Sequence, residues 1–180
     1  MAAPPSIATS RLILRPFRPN DLAPYAKMNA DPDVMRYLGG PISTDETARQ
    51  MQAANSSWAS RTIGKIAIER SADGAFLGMC GLSVEDWYPD DFELGWRLAP
   101  AFWGNGYATE AARAWLAHAF GSLDMSRVIS IADVPNHRSL AVMARIGMRL
   151  DHTARLQADG ETFDAEIHAI TGTQYRAGNR

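Results

Sequence analysis

One cysteine, Cys80, stands in 180 residues, so no internal disulfide can form and a reducing, cytoplasmic setting is expected. The histidines, His118, His137, His152 and His168, lie far apart, with no i,i+4 pair and no paired-cysteine spacing, so no metal site is expected. No apolar run reaches the roughly eighteen residues that cross a bilayer. Residues 1–10 show no cationic stretch followed by an apolar one, so no secretory leader is expected there. An excess of one charge is lacking too. Eighteen basic against 20 acidic residues leave a net −2, which gives no overall pull toward nucleic acid or anionic lipid. Gly-x-Ser-x-Gly and Gly-Lys-Ser/Thr are both absent, which removes support for a serine-hydrolase elbow and for a P-loop.

What remains is 46% hydrophobic and 21% charged, a balance that suits one folded domain. We expect a short flexible lead over residues 1–8, a single domain over 9–171 and a tail over 172–180. Arg11–Arg15 reads as a strand stopped by Pro16 and Pro19. Asn20 caps an expected helix to about Ala30, which Asp31-Pro32 ends. Ser43 and Glu46 form a capping box that opens a helix to about Trp58. Residues 62–69 and 76–84 read as a hairpin about Asp73-Gly74, followed by a strand over 92–98. A helix over 108–120, a strand over 128–134 and a helix from Asn136 to Ile146, closed by Gly147, come next. Strands over 149–157 and 162–170, joined through Ala158-Asp159-Gly160, complete a mixed α/β (α+β) layout. It has a long antiparallel meander and one strand–helix–strand crossover.

The segment from Leu98 to Ala111 carries the most chemistry. A strand ends, a loop with Gly104 and Gly106 follows, and a helix begins. Successive backbone N–H groups there can face one anion, helped by the helix N-terminus, and glycines let the backbone approach it. That arrangement suits a pyrophosphate. The alternative is a tight Asn105-Gly106 turn ahead of a core helix. A Rossmann reading fails, because Thr109 replaces the third glycine and the glycines lie too far from the strand end.

Three segments, in order, resemble the GNAT superfamily of acyl-CoA-dependent N-acyltransferases, in the branch of the ribosomal-protein-alanine N-acetyltransferases (RimJ/RimL type). They are Thr9–Pro16, Glu93–Leu98 continuing through Trp103–Ala111, and Asn136–Leu140 continuing to Arg145–Met148. The resemblance implies a GNAT-type mixed, mostly antiparallel central sheet flanked by helices, and acetyl-CoA as co-substrate. It also implies direct transfer of the acetyl group to a primary amine in a ternary complex. The CoA phosphates would lie along Trp103, Gly104, Asn105, Gly106, Tyr107, Ala108 and Thr109, on the amides from Asn105 to Thr109. The splayed strand, at Trp96, Arg97 and Leu98, would bond the pantetheine arm and offer the oxyanion a backbone N–H. Asn136 would reach the same arm, although it also reads as a simple helix cap.

One departure matters. Many relatives place a tyrosine, the acid for the leaving thiolate, where this chain has Met143. Ser139 is then the best side-chain donor near the thiol, and a non-catalytic acyl-CoA-binding domain stands as the alternative reading. Glu93 is the first choice of general base, with Glu161 and Glu166 behind it. Arg113, Arg138 and Arg145 are candidates for CoA phosphates, against the plainer reading of solvated helix residues.

The acceptor is read as the α-amine of a protein N-terminus or a small-molecule amine. An α-amine titrates near 7.7–8.0 and a lysine near 10.4, so an α-amine costs less to deprotonate. The run Glu85–Glu93 holds five acids and no base, and suits attraction of a cationic amine; the alternative is an exposed loop held by its aromatics. Cys80 reads as a buried small hydrophobe. No nucleic acid or membrane partner is expected, and the resemblance allows a homodimer.

Overall fold

The structure, a computed structural model, describes residues 6–61, 63–158 and 160–178. Its strands form one eight-stranded sheet in the order β1-β2-β3-β4-β5-β6-β8-β7. Strands β1 (Ile7–Ala8), β2 (Leu12–Arg15), β3 (Lys65–Arg70), β4 (Phe76–Glu85) and β5 (Tyr88–Leu98) run antiparallel in sequence order. Then α4 (Tyr107–Gly121) crosses over, and β6 (Arg127–Asp133) lies parallel to β5. β8 (Glu161–Thr171) pairs antiparallel with β6 and with the outer strand β7 (Arg149–Ala158). The expected mixed, mostly antiparallel sheet flanked by helices is found.

The two faces bury different clusters. On one, α4 presents Ala111, Ala112, Trp115, Leu116 and Ala119, all at 0% exposure, to Leu77, Cys80, Leu82 and Leu94. Its apolar residues recur one helical turn apart, which is why the Ala-rich segment folds as a helix against the sheet. The Trp115 indole N–H is satisfied by the Cys80 carbonyl at 3.1 Å. The other cluster joins Tyr25 and Met28 of α1 (Leu22–Asn29) and Met51 of α3 (Thr44–Arg61) to Ala67 and Met79. Helix α5 (His137–Arg145) closes the first cluster with Val142 and Met143.

Local chemistry moves several boundaries. The lead is not free up to residue 8, because Ile7 and Ala8 pair with Leu14 and Ile13. The tail is helical over α6 (Gly172–Gly178), and the Tyr175 ring lies 5.1 Å from that of Phe120. A 3₁₀ turn at Pro19–Asp21 precedes α1, so Asp21 and not Asn20 holds the cap position. Asp31 ends α1 and also starts α2 (Pro32–Met35), its carboxylate accepting from the N–H groups of Asp33 and Val34. The Ser43 hydroxyl accepts from the Glu46 N–H at 3.1 Å as expected, but the Glu46 carboxylate turns to Arg49, so the reciprocal half of the box is unmade. The expected strand start Thr62 and the turn residue Asp159 lie outside the described residues.

The acidic segment is not a loop. β4 and β5 pair as far as Glu85 and Tyr88, leaving Asp86-Trp87 as the turn. Its aromatics dock on the neighbouring hairpin. The Trp87 indole donates to the Gln157 carbonyl at 3.0 Å, and the Tyr88 hydroxyl lies 2.8 Å from His152 Nε2.

Candidate active site

The sheet opens where the crossover begins. Glu93 and Ile129 form the one registered pair of β5 with β6 among the described residues. One residue further, the Leu94 carbonyl accepts from the Ser130 hydroxyl at 2.6 Å. Beyond it, Gly95 to Leu98 pair only with β4. That leaves Trp96 to Leu98 without a β6 partner among the described residues, the Leu98 carbonyl being taken by the Trp103 indole.

This stretch leads to the start of α4. Gly104 and Gly106 have φ of +76° and +78°, a region L side chains enter only at a cost, so glycine is required at both. The first helix bond runs from the Glu110 N–H to the Gly106 carbonyl, and the amides ahead of it have no intrahelical acceptor. Nothing lies within 4 Å of a Cβ built on Gly104, and at Gly106 only Arg11 does, at 3.6 Å. Such an open, donor-rich turn fits a diphosphate. Asn105 braces it by donating to the Trp103 carbonyl at 3.0 Å.

The first and second resembling segments meet here. The Glu110 carboxylate accepts from the Thr9 hydroxyl at 2.6 Å, the Arg11 N–H at 3.0 Å and Arg11 Nε at 2.7 Å. Burial opposes its charge, but these donors outweigh it and hold Glu110 below the usual carboxylate range. Beside it, Ser10, Arg11, Gly106, Thr109, Arg113 and Arg145 line a groove of about 450 Å³. Arg113 and Arg145 therefore flank the Gly104–Gly106 turn. Arg138 does not join them, because its guanidinium lies 4.2 Å over the Trp103 ring.

Asn136 caps α5, its side-chain oxygen accepting from the Ser139 N–H at 3.3 Å. Its NH₂ and the Ser139 hydroxyl have no partner among the described residues. Met143 is 1% exposed in the core cluster, so this position offers the site neither a proton nor a surface. From the opposite side, the Tyr37 hydroxyl donates to the Pro135 carbonyl at 3.3 Å, tying the segment after α2 to the loop before α5.

On the face covered by α1 and α3, Glu93 stands in a charged cluster that strand pairing assembles. Lys65 is opposite Gly81, Gly81 opposite Gly95, and Ser83 opposite Glu93. Lys65 Nζ is 3.4 Å from both Glu93 Oε2 and Glu85 Oε1. The Ser83 hydroxyl bridges the same two oxygens, at 3.2 and 2.7 Å. A Cβ on Gly95 would come within 3.0 Å of the Glu93 carboxylate and 3.2 Å of Lys65 Cε, so the bare glycine leaves room for both. Burial raises the proton affinity of Glu93 above the usual carboxylate range, against the pull of Lys65. Burial also opposes the charge of Lys65, but Glu93 and Glu85 outweigh it and raise its pKa. Sequence reading missed Lys65, Ser83 and Glu85 as a group. Only the alternating pattern of β3 and β4 could have placed them on one face.

Other candidates stand elsewhere. Glu161 is exposed at the hairpin end of β8, opposite Ala158, and Glu166 is paired with His168 at 2.7 Å. The Arg97 side chain leaves the splayed edge and donates to Asn29 at 2.7 Å, and its carbonyl lies against Gly78 of β4, so neither is turned to the opening between the strands. The Trp103 indole donates to the Leu98 carbonyl at 2.8 Å, a packing role that ties the loop to the strand end. Burial pushes the Cys80 thiol far up, as befits an inert hydrophobe. Among the described residues no helix is long and apolar enough to cross a membrane, and no group of three or more metal-ligating side chains occurs.

Known proteins share this architecture. The family profile described as an acetyltransferase (GNAT) domain matches residues 11–149. The uncharacterized protein YkkB of Bacillus subtilis (strain 168) is 31% identical over 157 residues, 86% of this chain and 91% of that one. The FsC-acetyl coenzyme A-N(2)-transacetylase of Aspergillus fumigatus is 33% identical over 155 residues, 81% of this chain and 66% of that one. The crystal structure of an acetyltransferase from Agrobacterium tumefaciens str. C58 superposes with a TM-score of 0.80 at 30% identity, covering 94% of this chain and 96% of that one. Members of this family move an acyl group from acetyl-CoA to an amine, so the alternative of a non-catalytic binding domain falls. With the open glycine turn, the splayed strand and the matching profile in one stretch of chain, this protein belongs to the GNAT acetyltransferase family and is an N-acetyltransferase.

Proposed function

We propose that acetyl-CoA lies with its diphosphate on the amides of Asn105 to Thr109, Arg113 and Arg145 beside it, and its thioester at the splayed strand end, Trp96 to Leu98. Acetyl-CoA supplies the activated acyl group. A primary amine attacks directly, in a ternary complex, without an acyl-enzyme. Glu93 takes the amine's proton, a backbone N–H of the splayed strand holds the oxyanion, and the Ser139 hydroxyl faces the departing sulfur. Asn136 can meet the CoA arm with its NH₂ while its oxygen keeps the cap. The observation that carries this reading is the position of Glu93, 8% exposed at the last residue where β5 still pairs with β6.

The acceptor is the α-amine of a protein N-terminus or a small-molecule amine. Glu85 and Glu93 together outnumber Lys65, so the cluster is negative and receives an ammonium ion. The likeness to the RimJ/RimL branch supports the protein N-terminus. A reducing, cytoplasmic setting accords with the lone buried thiol.

The test is incubation with labelled acetyl-CoA and a panel of N-terminal peptides, amino acids and polyamines, with products identified by mass spectrometry. Acetylation at an α-amine is expected. Label on lysine side chains alone, or on none of the panel, would overturn the acceptor reading.

A further inference from the structure

Acetylation of an amine that arrives as an ammonium ion releases one proton per turnover. R–NH₃⁺ and the thioester give the amide, the free thiol and H⁺. The base that collects this proton must lose it again before the next cycle. Glu93 is poorly placed to lose it directly, because its side chain is 10% exposed. Glu85 is better placed, at 31%.

The two carboxylates are linked. Ser83 and Glu85 are two residues apart on β4 with a register shift between them, and Ser83 is in register with Glu93. The Ser83 hydroxyl lies 3.2 Å from Glu93 Oε2 and 2.7 Å from Glu85 Oε1. Those two oxygens are also the ones that Lys65 Nζ meets, both at 3.4 Å. A hydroxyl is both donor and acceptor, so it can take a proton from one carboxyl while giving its own to the other. An ammonium can only donate. The charged and titratable groups acting with Glu93 among the described residues are Lys65 of β3, Glu85 of β4 and the Cys80 thiol of β4. Arg97, on the same strand as Glu93, acts on Lys65.

We propose that Ser83 and Glu85 form the exit path for the proton that Glu93 collects, and that Lys65 is the positioning residue that holds the two carboxylates about it. The inference rests on Glu93 as the base. In the step, protonated Glu93 donates its Oε2 proton to Ser83 Oγ while the Ser83 proton passes to Glu85 Oε1. Rotation of the hydroxyl resets the chain, and Glu85 gives the proton to water. One proton enters at Glu93 and one leaves from Glu85, with no other bond made or broken. Lys65 and Ser83 together hold Glu85 below the usual carboxylate range although burial opposes this, so a proton reaching Glu85 passes on to water; the transfer from Glu93, whose affinity burial raises, is the uphill step that this release draws forward. Lys65 keeps its own proton because both carboxylates stabilise it.

The experiment uses the full chain, saturating acetyl-CoA and the best acceptor from the panel above. Ser83→Ala is expected to lower kcat about tenfold, less than the 10²–10⁴-fold of a lost base, with the acetyl-CoA KM unchanged. Ser83→Thr keeps a hydroxyl and is expected to restore the rate. Added imidazole, a small proton carrier, is expected to rescue Ser83→Ala and Glu85→Gln but not wild type. If Ser83→Ala and Glu85→Gln both turn over like wild type while Glu93→Gln is slow, the base stands and the relay is wrong. If Glu93→Gln is also unimpaired, the base reading itself fails. A loss that neither threonine nor imidazole repairs marks structural damage, and also overturns the relay.

Discussion

The Arg138 guanidinium lies 4.2 Å from the centre of the Trp103 ring, and this contact joins the loop before α4 to the first turn of α5. The Trp103 indole also holds the Leu98 carbonyl. The pair therefore fixes where the Gly104–Gly106 turn stands relative to α5, and under the proposed binding mode where the diphosphate stands relative to the thiol. A cation–π contact and a hydrogen bond are each worth about 1 kcal/mol. Trp103→Leu should raise the acetyl-CoA Kd by about tenfold in titration calorimetry. Arg138→Gln should raise it less, since only one of the two contacts is lost.

Gly106 makes a sharper test of the phosphate turn. At φ +78° a β-branched side chain is strained by about 1–2 kcal/mol. Gly106→Val should weaken acetyl-CoA binding at least tenfold, by calorimetry, because the strained turn re-aims the amides. An unchanged Kd would remove the turn from the site.

Glu93→Gln should lower kcat by about 10²–10⁴-fold while acetyl-CoA affinity stays near wild type. Burial raises the Glu93 pKa, so the acid limb of the wild-type kcat/KM profile should lie above the ordinary carboxylate value of about 4.3. The variant should lose that limb. The stability sign follows. With its folded pKa raised, the folded state binds the proton more tightly than the unfolded one, so the Glu93 contribution to stability falls as pH rises through that interval. The variant should therefore gain melting temperature relative to wild type at neutral pH, and the gain should shrink on acidification.

Away from the site, Arg15 and Asp21 form a two-pronged ion pair at 2.7 and 2.9 Å, each side chain 6% exposed. Glu69 also reaches Arg15 at 2.6 Å. Asp21→Ala leaves half of that guanidinium without an acceptor and removes the group that receives the Arg18 N–H. Unfolding in urea should show a loss of about 3–5 kcal/mol. A loss below 1 kcal/mol would mean that Glu69 alone satisfies the cation.

Much of this was legible in local patterns. Gly104 and Gly106, Asn136 with its following helix, and Gly147 at φ +87° act through their immediate neighbours, and so are visible in sequence. Short elements were not. The pair Ile7–Ala8 is a strand only because Leu14 and Ile13 lie beside it, and α2 is four residues begun by a cap that also reads as a stop. The turn at Asp86-Trp87 has no glycine or asparagine to announce it. The charged cluster was the largest omission. Glu93 could be singled out by its segment, but Lys65 is 28 positions earlier and meets it only through the register of three strands. Met143 was read as a missing acid. Its burial shows a core residue, a distinction that depends on the helix's rotation toward the sheet.

The paired glycines Gly81 and Gly95 carry no functional group, yet they decide whether the ammonium of Lys65 can rest against both acids. A single methyl on Gly95 would remove no functional group. It would crowd the Glu93 carboxylate and the Lys65 stem apart and, with Glu93 as the proposed base, detune it while deleting nothing. Inactivating variants of such an enzyme can thus arise at sites where nothing chemical is deleted and only emptiness is lost.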